Sequence, residues 1–575
     1  MPRPFYTRLR FVLPVACLAL AGGGIMLGQG SLLGPAMAAQ QAGAETGLLS
    51  ILARGRAGNV RFIDPPALKA FYEERGGDLA WVQGMAGYQR RASDILKILE
   101  DSWTHGLNPA DYHVVEIRGA LENSDMMTRD ELDVVLSDAI LRYGRDLTGA
   151  RISLLPGIKK RDRYWRAAPT SLDILTHVTK TSSIKNALRG LEPEGKLYSA
   201  LREALVDIVD EPDVPVQKIP VGGIIRPGDT SPRIPAIRAR MGLPGDSRVY
   251  DETLARRVMA FQETRGVAPD AVIGGETVKL MNATRQDRIN QILANLERLR
   301  WIDQDKPSRY ILVNIPSATL WAVEEGDTIL QMPVVVGKVK RPTIAFRTDV
   351  TGVRFNPNWT VPPTIKNEDF LPALQEDPLY LSKRGIEITT GFGRESQTID
   401  PTTVDWADMT TEDLKGLNMI QSPGTTNPLG RVRVIMPNGY NIYLHDTNAP
   451  EYLQRSNRTL SSGCIRVAEP VKLADFILKD KAGWDQTRTD KVLESARMTE
   501  VMTDVKLPVY ILYQTVWQDE RGGIIFGPDV YGEDAVIAAQ LRARGAIHIP
   551  GTPEKSVKSA GYSGKTALAK GGINP

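Results

Sequence analysis

Residues Gly439 to Val467 read GYNIYLHDTNAPEYLQRSNRTLSSGCIRV, a segment in which a histidine on an alternating stretch is followed nineteen positions later by a cysteine in a small-residue turn. In Ile442-Tyr443-Leu444-His445 the alternation predicts a strand that buries Ile442 and Leu444 and presents Tyr443 and His445 together on the other face. Ser461-Ser462-Gly463-Cys464 then turns into Ile465-Arg466-Val467, and a helix is predicted from Pro470 through Asp480. The thiol would sit at a sharp turn. It directly follows a glycine whose backbone freedom lets successive N–H groups converge on one point, as an oxyanion site requires. Gly463 and Cys464 are the expected donors, with Ser462 a further candidate. His445 would take the thiol proton, in an ion pair that holds the Cys464 thiolate below its ordinary range. A third group should orient the imidazole, and a backbone carbonyl near Asp446 serves as well as the Asp446 carboxylate. Arg466, beside the nucleophile, suits either a substrate carboxylate or a structural salt bridge.

The remainder of the chain indicates where such a thiol would work. Arg3, Arg8 and Arg10 precede an apolar run from Phe11 to Leu27 and then Ala36-Met37-Ala38, the order of a secretory signal cleaved after Ala38. An uncleaved membrane anchor is the competing reading. Removing residues 1–38 lowers Lys+Arg from 71 to 68, equal to the 68 Asp+Glu, so the mature chain is neutral and has no overall footprint for nucleic acid. The same cut leaves Cys464 as the lone cysteine in a setting where disulfides normally persist. Such a thiol is either inert and buried or retained for chemistry. The five histidines are scattered without metal-ligand spacing, so neither a metal nor a cofactor is expected. The expected location is the periplasm of a Gram-negative bacterium, with the membrane met only through the signal.

A length of 575 residues implies several domains. After the signal (1–38), residues 39–215 read as a helical scaffold. Thr128 and Glu131 there form a capping box ahead of Leu132, Val135, Leu136, Ala139, Ile140 and Tyr143 at helical spacing. A proline- and glycine-rich stretch opens a small three-helix unit, 216–283, with Ser231-Pro232 starting one helix, Asp251 capping the next, and a third after Gly274. Residues 284–307 form a linking amphipathic helix with Ile289, Ile292, Leu293, Leu296 and Leu299 on one face, ending at Trp301. From 308 to 515 the pattern is β-rich, beginning with RYILVNI, TLWAVEE, a turn at Gly326-Asp327 and TILQMPVVVG. Residues 356–430 interrupt it as an insertion far longer than an ordinary connection, expected to cap the site. It opens with NPNWTVPP, where Trp359 is a candidate substrate contact, and carries Phe370, Tyr380, Phe392 and Trp406. A C-terminal extension (516–540) and a basic disordered tail (541–575) complete the chain. The fold class is thus multidomain α+β.

His445, the spacer and Ser461-Ser462-Gly463-Cys464-Ile465-Arg466 resemble the signature of the YkuD-type L,D-transpeptidases, with Ser462 where that signature carries a second histidine. This resembles the large branch with a helical scaffold. Phe261-Gln262, Gly266 and Gly274-Gly275-Glu276-Thr277 similarly resemble a peptidoglycan-binding module, except that Asp270-Ala271 replaces its usual Asp-Gly. The resemblance implies an enzyme that forms a thioester with a tetrapeptide stem of peptidoglycan, releases D-alanine and passes the acyl group to an amine of a stem or of a protein. Tyr443 and Arg466 would contact the substrate, and carbapenems would acylate Cys464. A cysteine peptidoglycan hydrolase or carboxypeptidase, and a non-catalytic wall-binding protein, are the alternatives. Papain-like hydrolases place the cysteine before the histidine, the reverse of the order here.

Overall fold

The computed structural model describes residues 47–82, 88–149, 151, 168–181, 183–212, 215, 217–302, 307–391, 395–543 and 545. The predicted signal and nearly all of the basic tail lie outside them. The N-terminal helices pack around Arg129–Thr148, which opens with the expected capping box: Thr128 Oγ1 accepts from the Glu131 N–H, and Glu131 Oε2 accepts from the Thr128 N–H. Asp133 on this helix is fully buried and accepts from the N–H groups of Ala80, Trp81 and Val82 and from the Tyr72 hydroxyl. A carboxylate in that position ties a loop to the helix through charge-assisted bonds.

Helices Ile234–Arg240, Glu252–Glu263 and Gly275–Met281 enclose a separate core that includes Ile237, Leu254, Val258 and Val278. Asp251 caps the second, accepting from the Leu254 N–H. The first begins later than Ser231-Pro232 suggests. The Ser231 N–H is bonded to the Arg248 carbonyl, which holds the chain in a turn until Ile234. Buried Gln262 builds the Asp270-Ala271 turn: its Oε1 accepts from the Ala271 N–H, and its Nε2 donates to Asp270 and to the Val272 carbonyl. Ala271 there adopts φ 57°, the left-handed region a glycine would favour. At Gly266 a Cβ would lie 2.2 Å from the Trp517 ring, so this glycine permits close docking on the C-terminal hairpin.

The Arg285–Trp301 helix departs from its amphipathic reading. Asn295, Glu297, Arg298 and Arg300 are buried along with Ile289, Ile292 and Leu296, because the helix is enclosed by the Lys196–Asp210 helix, the hairpin Val516–Gln518/Ile524–Phe526 and the terminal helix Glu533–Ala543. That last helix runs three residues beyond the expected end of the extension at 540.

The β-rich part contains β1 (Arg309–Asn314), β2 (Thr319–Glu324), β3 (Asp327–Gly337), β4 (Phe346–Phe355), β5 (Trp359–Thr360), β6 (Ile386–Thr390), β7 (Gln397–Ile399), β8 (Leu417–Gln421), β9 (Val432–Ile435), β10 (Leu444–His445), β11 (Thr459–Ser461), β12 (Ile465–Val467) and β13 (Thr499–Leu512). The main sheet runs β11-β3-β12-β10-β9-β4-β13-β1-β2, and β3 also pairs with β2, so the pairings close into a circuit. The β2-β3 hairpin turns at Glu325 and Gly326, both at positive φ, one residue earlier than expected; Asp327 is already paired with Glu324. The insertion is a subdomain of its own, an antiparallel sheet β5-β8-β6-β7 around a core with Phe370, Leu374, Trp406 and Met419. Phe392 lies outside the described residues.

Candidate active site

Parallel pairing of β10 with β12 sets Leu444 opposite Ile465 and His445 opposite Arg466. The Ile465 N–H donates to the Tyr443 carbonyl (2.8 Å), which brings Cys464, one residue before β12, against the strand that carries the histidine. Gly463 adopts φ 115°, a backbone state closed to other residues, so the glycine is what allows this turn. Ile442 and Leu444 are buried as expected, but the strand covers only Leu444–His445, and His445 is itself buried.

His445 Nδ1 lies 2.5 Å from the Asp446 carbonyl oxygen and donates to it, which leaves Nε2 as the basic nitrogen. The Asp446 carboxylate is engaged elsewhere, accepting from the N–H groups of Arg431 and Thr447. Of the two orienting groups the sequence left open, the carbonyl holds the ring.

The resting charge state differs from the expected ion pair. Burial, followed by the Arg466 charge, pushes the His445 pKa down to about 3 against the support of the Asp446 carbonyl. Burial also raises the Cys464 thiol, with the Tyr443 N–H, Arg433 and Arg466 pulling the other way. The thiol donates to the Asn441 carbonyl at 3.5 Å rather than to the imidazole. The pair therefore rests as neutral thiol and neutral imidazole, because desolvation outweighs the attraction that two separated charges would gain.

The oxyanion assignment also changes. The Gly463 N–H already donates to Ser461 Oγ (3.1 Å), whose hydroxyl donates to the Cys464 carbonyl (2.6 Å). Among the described residues the N–H groups of Ser462 and Cys464 have no partner, and these are the donors the turn leaves available. Gly463 supplies the bend.

Sequence reasoning missed Arg433. It pairs with His445 across β9 and β10, and its guanidinium lies 3.8 Å from the Tyr443 ring centroid. Its Nε is buried without an acceptor. A cation alternating with the apolar residues of Val432–Ile435 was the available signal. Arg466 stands over Tyr452 at 5.5 Å, and among the described residues neither arginine has a carboxylate within ion-pair distance. Trp359 is half-buried and packs edge-on to Phe370 of the insertion's core. His105, His113 and His177 face Tyr198, Asp138 and the Ala187 carbonyl, and the described residues contain no cluster fit for a metal.

Residues 308–511 match the family of the L,D-transpeptidase catalytic domain (YkuD), and residues 66–205 match the scaffold domain. The chain contains a YkuD-type L,D-transpeptidase catalytic domain. A Haemophilus influenzae protein named as an L,D-transpeptidase is 36% identical over 255 residues, 44% of this chain and 50% of its own length. The chain thus spans about half the length of that curated relative. Among solved structures, an L,D-transpeptidase from Mycobacterium smegmatis is similar over 36% of this chain and 58% of its own, at 13% identity and a TM-score of 0.17. One from Xylanimonas cellulosilytica is similar over 51% and 99%, at 12% identity and the same score. Likeness at that level has no bearing on the reaction. Among the described residues no helix is long and apolar enough to cross a membrane.

Proposed function

We propose that the transpeptidase domain cross-links peptidoglycan outside the cytoplasm through a thioester on Cys464. The observation that carries this reading is the Cys464 turn, its thiol half-buried, set against a neutral His445 whose Nδ1 is fixed on the Asp446 carbonyl. The thiol attacks the carbonyl of the L-centre in a tetrapeptide stem while Nε2 accepts its proton. The oxyanion forms toward the N–H groups of Cys464 and Ser462. Collapse breaks the C–N bond to D-alanine, whose amine leaves with the proton from the imidazolium. An acceptor amine then attacks the thioester and restores the thiol. Arg433 and Arg466, neither with a carboxylate at ion-pair distance among the described residues, suit the carboxylates of the donor stem. Tyr443 offers a face for the same chain.

The insertion 356–430 acts as a cover that admits an amine in preference to water. The three-helix unit supplies wall affinity, and Trp359 belongs to the cover's packing. Incubating the protein with disaccharide-tetrapeptide should release D-alanine and yield dimers, and Cys464→Ala should yield neither. D-alanine release without dimers would identify a carboxypeptidase instead, and dimers formed by Cys464→Ala would overturn the mechanism.

A further inference from the structure

Arg341 stands in the loop between β3 and β4 and reaches two bodies at once. Its guanidinium donates to Glu368 (3.0 and 2.6 Å) and to Asp369 (2.6 and 2.8 Å) in the insertion, and through Nη1 to Ser462 Oγ (3.1 Å) in the nucleophile turn. Glu368 and Asp369 lie on the helical run 363–376, in the turn Lys366–Phe370 that is widened to π geometry. The Arg341 side chain is only 10% exposed, whereas its carboxylates are 59% and 43% exposed. One planar cation thus spans two acids and a hydroxyl, a geometry that a lysine cannot copy.

The loop that carries Arg341 is held firmly from beneath. Lys338 N–H donates to the Ser461 carbonyl, and Arg341 N–H closes the loop on the Lys338 carbonyl. Thr343 Oγ1 accepts from the Gly337 N–H (2.9 Å) and donates to the Gly463 carbonyl (2.7 Å). Tyr531, from the C-terminal extension, donates to the Gly337 carbonyl and accepts from the Thr343 N–H. The nucleophile turn is therefore fixed through the Ser461 and Gly463 carbonyls below. Its outer residue, Ser462, is held by its hydroxyl to Arg341 alone among the described residues. Ser462 carries one of the two unpartnered N–H groups.

We infer that Arg341 is a positioning residue that fastens the insertion over the thioester and, by holding Ser462, sets an oxyanion donor only when the insertion is closed. The inference rests on the transpeptidase reading of the same site. Opening the insertion would release the acid side of the guanidinium, loosen Ser462 and admit water together, so closure and competence for acyl transfer are coupled by one side chain. Because the carboxylates face solvent, added salt should weaken the fastening.

The test compares the full-length protein with Glu368→Gln/Asp369→Asn and with Arg341→Lys. One measurement is hydrogen exchange over residues 363–376. The other is the ratio of dimer to tripeptide formed from disaccharide-tetrapeptide. The double variant is expected to exchange faster in that run, to form the Cys464 thioester still, and to shift its products several-fold toward tripeptide; Arg341→Lys should fall between it and the wild type. Unchanged exchange overturns the fastening. Faster exchange with an unmoved product ratio makes Arg341 merely structural and overturns its positioning role. If the wild type forms no thioester, it is the transpeptidase reading that fails, and the exchange measurement still decides whether Arg341 fastens the insertion.

Discussion

Two clusters of buried polar groups in this molecule are partnered in opposite ways. On the Arg285–Trp301 helix each buried charge meets its opposite. Arg300 donates to Glu297 and to the His105 carbonyl, and Glu297 also accepts from Trp301 Nε1 (3.0 Å) and the Arg151 N–H (2.8 Å). Arg298 pairs with Asp534, which in turn accepts from Thr515 Oγ1. Around Cys464 the arrangement is reversed: thiol and imidazole are desolvated, the nearby charges Arg433 and Arg466 are both positive, and among the described residues no carboxylate lies within ion-pair distance of either, Glu500 and Glu451 acting on them only from further away. The first cluster joins scaffold, linking helix and C-terminal extension into one joint. The second leaves its polar capacity for a ligand. Arg298 Nε and Nη2 and Arg300 Nε lack acceptors just as Arg433 Nε does, so it is the counter-charge at ion-pair distance, rather than burial or full hydrogen bonding, that separates the structural cluster from the reactive one.

Removing Glu297 tests the first half of that contrast and should have the largest effect. Glu297→Ala leaves Arg300 buried without its Glu297 counter-charge and removes an acceptor from Trp301 Nε1 and from the Arg151 N–H, for an expected loss of about 3–5 kcal/mol. Denaturant unfolding of the full chain measures it. A loss below about 1 kcal/mol, the range of an exposed pair, would mean that the helix is not the joint.

The second half predicts a pH dependence. His445 is buried neutral with its pKa at about 3, below the ordinary 6.5 of the unfolded chain, so between those values the unfolded state binds a proton that the native state does not. Stability is then full above pH 6.5 and falls as pH drops toward 3, with a slope near 1.4 kcal/mol per pH unit from this one group. His445→Asn should flatten that slope. The thioester-forming rate should correspondingly show no limb near pH 6.5; a limb there in the wild type, lost in His445→Asn, would mean that the imidazole titrates at its ordinary value and is not held neutral by burial.

What the sequence made legible was local. The β2-β3 hairpin, the Thr128 and Asp251 caps, and the glycine before Cys464 are each determined within a few residues, and each appears within one residue of its expected place. What it hid depends on distant chain. The linking helix looked amphipathic because its buried polar and charged residues find their partners at positions 105, 151, 515 and 534. Gly463 looked like an oxyanion donor because Ser461 Oγ, two residues away, reaches back to take its N–H only in this turn. Arg433 and Arg341 were invisible for the same reason: sheet register and an insertion 27 residues further on decide what they touch.

The smallest expected effect sharpens the comparison most. Cys464 is only partly covered, and its thiol makes one long contact, 3.5 Å to the Asn441 carbonyl. Replacing it by alanine removes a few dispersion contacts but also removes a polar group that folding had to desolvate, and the two terms oppose each other. Cys464→Ala should therefore shift unfolding by no more than about 1 kcal/mol in either direction, even as it abolishes D-alanine release. Glu297→Ala, measured beside it in urea at neutral pH, should show the reverse: a large loss of stability from a residue that touches no substrate. If Cys464→Ala cost as much as Glu297→Ala, the Cys464 thiol would be an inert member of a packed core, and the lack of a counter-charge around it would no longer mark a reactive site.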